Sequence, residues 1–334
     1  MEMNSTLNRS AIAPEEETNY STGFHETYDI VPILLIVLIV TSNTLVLFLF
    51  YRKRTLRTAS NILLSSLALS DNLTGLCGIP LYLVCSGTYQ GSVCKSSVMF
   101  TRFTSISTVL HLTVVTIDRL AGVMKPLQYS TIIRKSRAYN MVIFSWIISI
   151  FCSLVQLDWL ISTNVTSDGD KETIKKENTY IIFCLVAFYI LPLSLMLFSY
   201  TFIFVEVLRQ RRKISKLNMS SYQKTIRQNK LASEWKPALL FTSMTIIFMI
   251  TWFSYFFLNI QHNLEPIPLP IWGEYIVIYL RFLTSFSNPL LYVFGKKDFR
   301  EEIAKMWCAH NMERGGRTLS TDGELHHNLG NTVV

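Results

Sequence analysis

Charge is scarce in this chain of 334 residues: Asp, Glu, Lys and Arg make up 16%, while 50% of residues are hydrophobic. A mean hydropathy of +0.31 with so little charge leaves too few polar side chains to wrap an ordinary water-soluble core. Disordered, collagenous and disulfide-scaffold classes are excluded. Six cysteines, at positions 77, 85, 94, 152, 184 and 308, form no C-x-x-C pair, and this argues against a zinc site and a dense disulfide framework. The first 29 residues lack an apolar run of signal-peptide length, so the first hydrophobic segment is expected to act as an uncleaved anchor.

What is present is a series of long apolar runs. Seven stretches, 30–51, 61–84, 93–123, 138–160, 179–208, 237–261 and 271–294, are long enough to cross a hydrocarbon layer of about 30 Å at roughly 1.5 Å per residue. Runs such as 33–40 and 141–150 are almost continuously apolar, unlike the alternating strands of a barrel. The fold class expected is therefore an all-α membrane protein, a seven-transmembrane helix bundle over residues 30–295. Beyond it, Phe299, Ile303 and Met306 recur at helical spacing among Lys296, Lys297, Arg300 and Lys305, which predicts a short amphipathic eighth helix on the membrane over 296–308. Residues 309–334 are polar without period and read as a disordered tail.

Positive charge crowds the loops after the first, third, fifth and seventh stretches, for example Arg52, Lys53, Arg54 and Arg57, then Arg134, Lys135 and Arg137. Acidic residues dominate the opposite side, including Glu15, Glu16 and Glu17 before the first stretch. The positive-inside rule then puts residues 1–29 outside and the tail in the cytosol. Sequons at Asn4, Asn8, Asn19 and Asn164 fall on the side read as extracellular and are the candidate glycosylation positions. The net charge of +8 is explained by topology and attraction to anionic membrane lipids, so no nucleic-acid partner is implied. Cys308, at the end of the eighth helix, is either an acylation site or a free cytosolic thiol.

Polar residues inside the runs mark function, because each is costly in lipid. They comprise Asn43, the segment Leu67-Ala-Leu-Ser-Asp71, Asp118-Arg119-Leu120, Trp146, Pro192 with Tyr200, Phe248 with Trp252, and Asn288-Pro-Leu-Leu-Tyr292. In that order, at one or two per helix, they resemble the rhodopsin-like (class A) G protein-coupled receptors over residues 30–308. The resemblance implies a plasma-membrane, multi-pass receptor whose partners are a heterotrimeric G protein, arrestin and an extracellular ligand. From their position, Asp118 and Arg119 can form a latch at the cytosolic end, with Arg119 paired to its neighbour or to Glu234. Leu120 stands where the family commonly has Tyr. Pro289 removes one helical hydrogen bond and lets the seventh helix bend, swinging Tyr292. By resemblance Tyr200 is its active-state partner. Ser254 takes the place of a usual Pro, giving a straighter pivot.

An unpaired carboxylate at mid-membrane must be protonated or neutralised by a cation. By resemblance Asp71, Asn43, Thr108, Ser285 and Asn288 form a structural sodium and water site; the alternative is a protonated Asp71 bonded to Asn288. No other cofactor is implied. Cys94 matches a family half-cystine, but its usual partner loop holds no Cys, so a Cys85–Cys94 staple and a free Cys94 both stand open. Cys184, eight residues before Pro192, is expected inside the fifth helix.

The resemblance and the helical period together place Thr101, Arg102, Ser105, Phe183, Cys184, Phe188, Trp252, Phe256, Asn259 and Arg281 around an outer ligand pocket. No acid occurs between Cys94 and Asp118, and Thr101 stands where amine receptors carry an Asp, which argues against a biogenic amine held that way. No Lys occurs in 271–295, which argues against a retinal Schiff base there. Arg102 and Arg281 suit an anionic small molecule or lipid head, or else pair internally with Glu274 or Asp158. Acidic outer residues Asp168, Asp170, Glu172 and Glu177 suit a basic peptide. His111 is expected to be packed or hydrogen-bonded. The competing class is a seven-helix transporter or channel, against which stands the lack of an internal repeat. An enzyme is disfavoured by the lack of any H-E-x-x-H or similar spacing.

Overall fold

The structure, a computed structural model, describes residues 26–125, 128, 129, 133–161, 167–216, 220–223, 225, 226, 239, 242–254, 256 and 270–306, without the side chains of residues 26, 27, 160, 161, 167–171, 271, 292 and 294. Its helices are α1 (Glu26–Arg52), α2 (Ala59–Thr88), α3 (Gly91–Met124), α4 (Lys135–Leu154), α5 (Ser167–Leu185 continuing as Leu191–Lys216), α6 (Thr242–Ser254), α7 (Ile271–Gly295) and α8 (297–306). All seven expected membrane stretches carry helix. The fifth begins earlier than its apolar run, at Ser167, because the polar stretch leading into it continues the same helix. A short helix, Leu157–Ile161, follows α4. Residues 1–25 and 307–334, with Glu234, Asn259, Cys308 and the four sequons, lie outside the described residues.

Proline sets two irregularities. Pro80 has no N–H to give back along α2, and the helix widens at Thr74–Gly78 just before it. Pro192 does the same to α5, which widens at Val186–Ile190. Elsewhere the ends follow local chemistry. Thr58 caps α2 by accepting from the Asn61 N–H at 3.2 Å. Tyr89, in the left-handed region at φ 50°, closes α2 by donating its N–H to the Cys85 carbonyl at 2.9 Å. Of the two arrangements open for Cys94, the structure has the Cys85–Cys94 disulfide, joining the outer ends of α2 and α3. Cys184 is a free thiol buried within α5.

The packing suits lipid on the outside. Phe144, Phe151, Phe198 and Phe204 are exposed on α4 and α5, whereas Asn43, Asp71, Ser149 and Asn288 are fully buried. The buried face of α4 is Ala138, Ser145, Ser149 and Ser153, small residues that let it come close to α2 and α3. Each of these serines satisfies its hydroxyl on its own helix, as in Ser149 donating to the Ser145 carbonyl at 2.7 Å. Between the helices Leu63, Leu67, Leu112, Met196, Phe248 and Trp252 form one apolar core, which also takes in Phe299 of α8.

Burying Phe299 draws the start of α8 inward. Lys296, expected on the polar face of that helix, is instead buried, and its ammonium donates to Asn61 Oδ1. Glu302 on α8 ties Lys53, after α1, at 3.2 Å and Lys305 at 2.8 Å. The Lys296–Asn61 and Glu302–Lys53 contacts place α8 beneath α1 and α2.

Gly75 sits where α2 crosses α1. A Cβ there lies 2.9 Å from Val40 Cγ2 and 3.0 Å from Ile39 Cγ2, whereas at Gly78 the nearest neighbour, Phe100 Cδ1, is 3.6 Å away. We expect Gly75→Val to destabilise the bundle by about 1–3 kcal/mol through overpacking, read as a lower thermal unfolding midpoint of the purified protein. Gly78→Ala is expected not to lower it.

Candidate functional site

Three polar layers run down the axis of the bundle. At the cytosolic end, Asp118 is completely buried, and both its oxygens are used. Arg119 Nε donates to Asp118 Oδ2 at 3.1 Å, and its Nη2 donates to the same oxygen and to Ser60 Oγ. Ser60 in turn donates to Asp118 Oδ2 at 2.9 Å, and the Tyr129 hydroxyl donates to Oδ1 at 2.8 Å. Burial and the Asp118 charge push the Tyr129 phenol up to about 12, so it remains a donor. Arg119 thus pairs with its neighbour, one of the two expected partners, while Glu234 lies outside the described residues. Ser60 and Tyr129 were not anticipated: a serine and a loop tyrosine carry no pattern that singles them out. Lys296 completes this layer, and burial together with the Arg119 charge brings its ammonium down to about 7.

In the middle layer Asn288 Nδ2 donates to Asp71 Oδ2 at 2.9 Å. Asn43 Nδ2 donates to the Ser285 carbonyl at 3.1 Å, joining α1 to α7. Asp71 Oδ1, Asn43 Oδ1, Asn288 Oδ1 and Ser70 Oγ are buried without a hydrogen-bond partner among the described residues. Such a set, one carboxylate and neutral oxygens, fits a hard monovalent cation. Among the described residues no cluster of His, Cys, Asp and Glu could hold a metal through three or more of them. Nearer the cytosol, Tyr200 and Thr116 share a hydrogen bond of 2.9 Å between α5 and α3. The Tyr292 side chain lies outside the described residues.

Among the described residues two cavities adjoin in the outer half of the bundle. One of about 520 Å³, between α3, α5 and α6, is lined by Arg102, Ser105, Cys184, Phe188, Trp252 and Phe256 of the expected pocket, together with Tyr180, Ile181 and Phe248. The other, of about 350 Å³ between α2, α3 and α7, is lined by Thr101, Ser105, Trp252 and Arg281, and also by Thr108 and Ser285. The residues of the expected pocket are thus shared between two adjoining cavities that have Ser105 and Trp252 in common. Phe183 does not belong to it: the side chain is 51% exposed on the outside of α5, because the widened turn that follows shifts the helical phase. Arg102 pairs with Glu177, not with Glu274 or Asp158, and also reaches Gln156 and lies 5.2 Å from the centre of the Tyr180 ring. Glu177 further accepts from Trp159 Nε1 at 2.8 Å, while Asp158 pairs with Lys176 at 3.2 Å.

Comparison with known proteins gives the same reading. The profile of the 7 transmembrane receptor (rhodopsin family) matches residues 42–292. The chain belongs to this family, the class A G protein-coupled receptors. Similar curated proteins include the Histamine H2 receptor of Cavia porcellus, 30% identical over 303 residues, 86% of this chain and 81% of that one. The Histamine H2 receptor of Homo sapiens is 29% identical over 315 residues, 90% of this chain and 84% of that one. Trace amine-associated receptor 7d of Mus musculus is 27% identical over 282 residues, 80% of this chain and 78% of that one. Membership makes the chain a multi-pass membrane receptor, and places the Asp118–Arg119 pair, Trp252 and Asn288-Pro289 in a signalling family.

Asp118 is buried, Arg119 is only partly exposed and the two are doubly hydrogen-bonded, so loss of the pair is worth more than that of a surface pair. Removing about 1 kcal/mol from the closed state shifts its equilibrium roughly fivefold. We expect Asp118→Asn to raise basal nucleotide exchange on a G protein several-fold at matched surface expression. Tyr129→Phe, which deletes one neutral donor, is expected to raise it less.

Proposed function

We propose that this chain is a ligand-gated G protein-coupled receptor of the plasma membrane, with residues 1–29 outside and glycosylated at Asn4, Asn8 and Asn19, as well as at Asn164 in an outer loop. A ligand enters the cavity between α3, α5 and α6 and bears on Trp252, which stacks on Phe248 at 5.8 Å between ring centres. Motion of these rings tilts α6, and the cytosolic latch at Arg119 opens toward Glu234 and the G protein. Arrestin uses the same cleft. The observation that carries this reading is the combination of an aromatic-walled cavity against Trp252 with the hydrogen-bonded Asp118–Arg119 pair toward the cytosol. The oxygen set around Asp71 would hold a sodium ion, whose charge neutralises the carboxylate. Asp71 and Asn288 orient that set, and Thr108 and Ser285 stand above it. Cys308 is the acylation position that fastens α8.

The ligand we infer is a small aromatic molecule bearing an anionic or acceptor group. This cavity has aromatic walls, and its charged lining residue among those described is Arg102. A second reading takes its support from the relatives, which are named for histamine and trace amines. Glu177 is a carboxylate beside Arg102, and an ammonium displacing Arg102 from it has a counter-ion.

Nucleotide exchange on purified G protein, driven by membranes bearing the full chain, tests the proposal. Aryl carboxylates, their amides and the matching amines are the ligand panel, and Arg119→Ala is the signalling control. The account expects exchange above empty membranes, stimulated by the carboxylates, and reduced at least several-fold by Arg119→Ala. Stimulation by amines alone, lost in Glu177→Gln, favours the second reading. Absence of exchange under every condition, or exchange indifferent to Arg119→Ala, contradicts the receptor mechanism.

A further inference from the structure

Arg102 is the outermost of the α3 residues that line the cavity between α3, α5 and α6, and Tyr180 is the outermost of those from α5. There the guanidinium meets three kinds of group. It donates to Glu177 Oε1 and to Gln156 Oε1, and it lies 5.2 Å from the centre of the Tyr180 ring. Each of these groups is held by bonds that do not involve Arg102. Glu177 Oε2 accepts from Trp159 Nε1 at 2.8 Å. Gln156 is fully buried, and its Nε2 donates to the Ser153 carbonyl at 3.0 Å and to the Tyr180 hydroxyl at 3.3 Å, which turns its Oε1 toward Arg102. The Tyr180 hydroxyl donates to the Cys152 carbonyl at 2.9 Å. A carboxylate, an amide oxygen and an aromatic face together are the chemistry that recognises an ammonium or guanidinium group. They come from α5 and the turn after α4, whereas the cation they hold comes from α3.

We propose that Glu177, Gln156 and Tyr180 form a cation site that the chain fills with its own Arg102, so that Arg102 sets the ligand class by turning amines and guanidines away. An incoming ammonium gains only the contacts that the guanidinium gives up, and it must expel a group tethered at an effective concentration of about millimolar or more. The exclusion is built from an attractive pair already made and needs no clash. The two charges also guard each other: removing Arg102 leaves a site for cations, and removing Glu177 leaves one for anions. This inference rests on the receptor reading in taking this cavity as the ligand's, and it deepens that reading by deciding against the amine class.

Thermal unfolding of the purified full chain tests this with propylguanidinium, a copy of the Arg side chain, and propylurea, its uncharged counterpart, at constant ionic strength. In the unaltered chain the two probes are expected to act alike. In Arg102→Ala the midpoint is expected to fall, and propylguanidinium to raise it again saturably. Its half-saturation is expected at a concentration roughly tenfold or more below that of propylurea, the size of one charge-assisted contact. Adding Glu177→Gln to Arg102→Ala is expected to abolish that preference. Glu177→Gln alone keeps Arg102 and is the second measurement where Arg102→Ala does not fold. It is expected to bind 3-phenylpropanoate with half-saturation roughly tenfold below that of the unaltered chain. A guanidinium preference of the same size in the unaltered chain overturns the assignment. So does rescue of Arg102→Ala equally by propylurea, rescue that persists without Glu177, or no rescue at all. Unchanged binding of 3-phenylpropanoate by Glu177→Gln overturns it as well. No G protein is present in these measurements, so their failure leaves the exchange result standing and is not confused with it.

Discussion

Lipid offers no hydrogen-bond partner, so polar side chains buried between membrane helices must find one another or a helix carbonyl. In this bundle the partners lie on neighbouring helices, and the bonds form a nearly continuous belt. Asn43 joins α1 to α7, Asn288 joins α7 to α2, and Thr251 and Thr284, 2.8 Å apart, join α6 to α7. Tyr189 donates to the Met249 carbonyl at 3.0 Å, linking α5 to α6, and Tyr200 meets Thr116 across α5 and α3. His111 closes the belt on the far side. Its Nδ1 lies 2.7 Å from the Ser107 carbonyl and so carries the proton, leaving Nε2 to accept from Ser66 at 2.7 Å. Ser66 in turn accepts from Trp146 Nε1 at 2.9 Å, which ties α2, α3 and α4 into one block.

That block and the latch divide the labour. Helices α2, α3 and α4 touch through small residues and a satisfied serine–histidine–tryptophan cluster, and offer nothing that gains by moving. The other half of the bundle depends on isolated single bonds, such as those of Thr251 and Tyr189, and on aromatic packing around Trp252. A ligand bearing on Trp252 meets the less constrained half. The Asp118–Arg119 pair belongs to the constrained half at its cytosolic rim, and for this reason it can serve as a fixed catch against which α6 opens or closes.

The helices were legible because a membrane span has one solution for its backbone, and a run of apolar residues with a few polar ones announces it. The buried polar residues were legible for the same reason: Asp71, Asp118 and Asn288 stand out against apolar neighbours. Less visible were residues whose role depends on a partner far along the chain. Ser60 meets Asp118 across 58 positions and Glu177 meets Arg102 across 75, and neither serine nor an acid near a loop differs from its neighbours in sequence. Phe183 misled because the helical period was carried through α5 unbroken, where the structure widens at Val186–Ile190. Lys296 misled because a basic residue beside an amphipathic helix reads as surface until the burial of Phe299 is known.

The central claim is that breaking the buried pair at Arg119 frees the cytosolic end of α6. Spin labels introduced at Tyr139 at the start of α4 and at Leu239 beside α6, both exposed, report that separation directly in the purified full chain. The account expects a single short distance in the otherwise unaltered receptor and an added, longer population when Asp118→Asn removes the partner of Arg119. Identical distance distributions in the two proteins would contradict it.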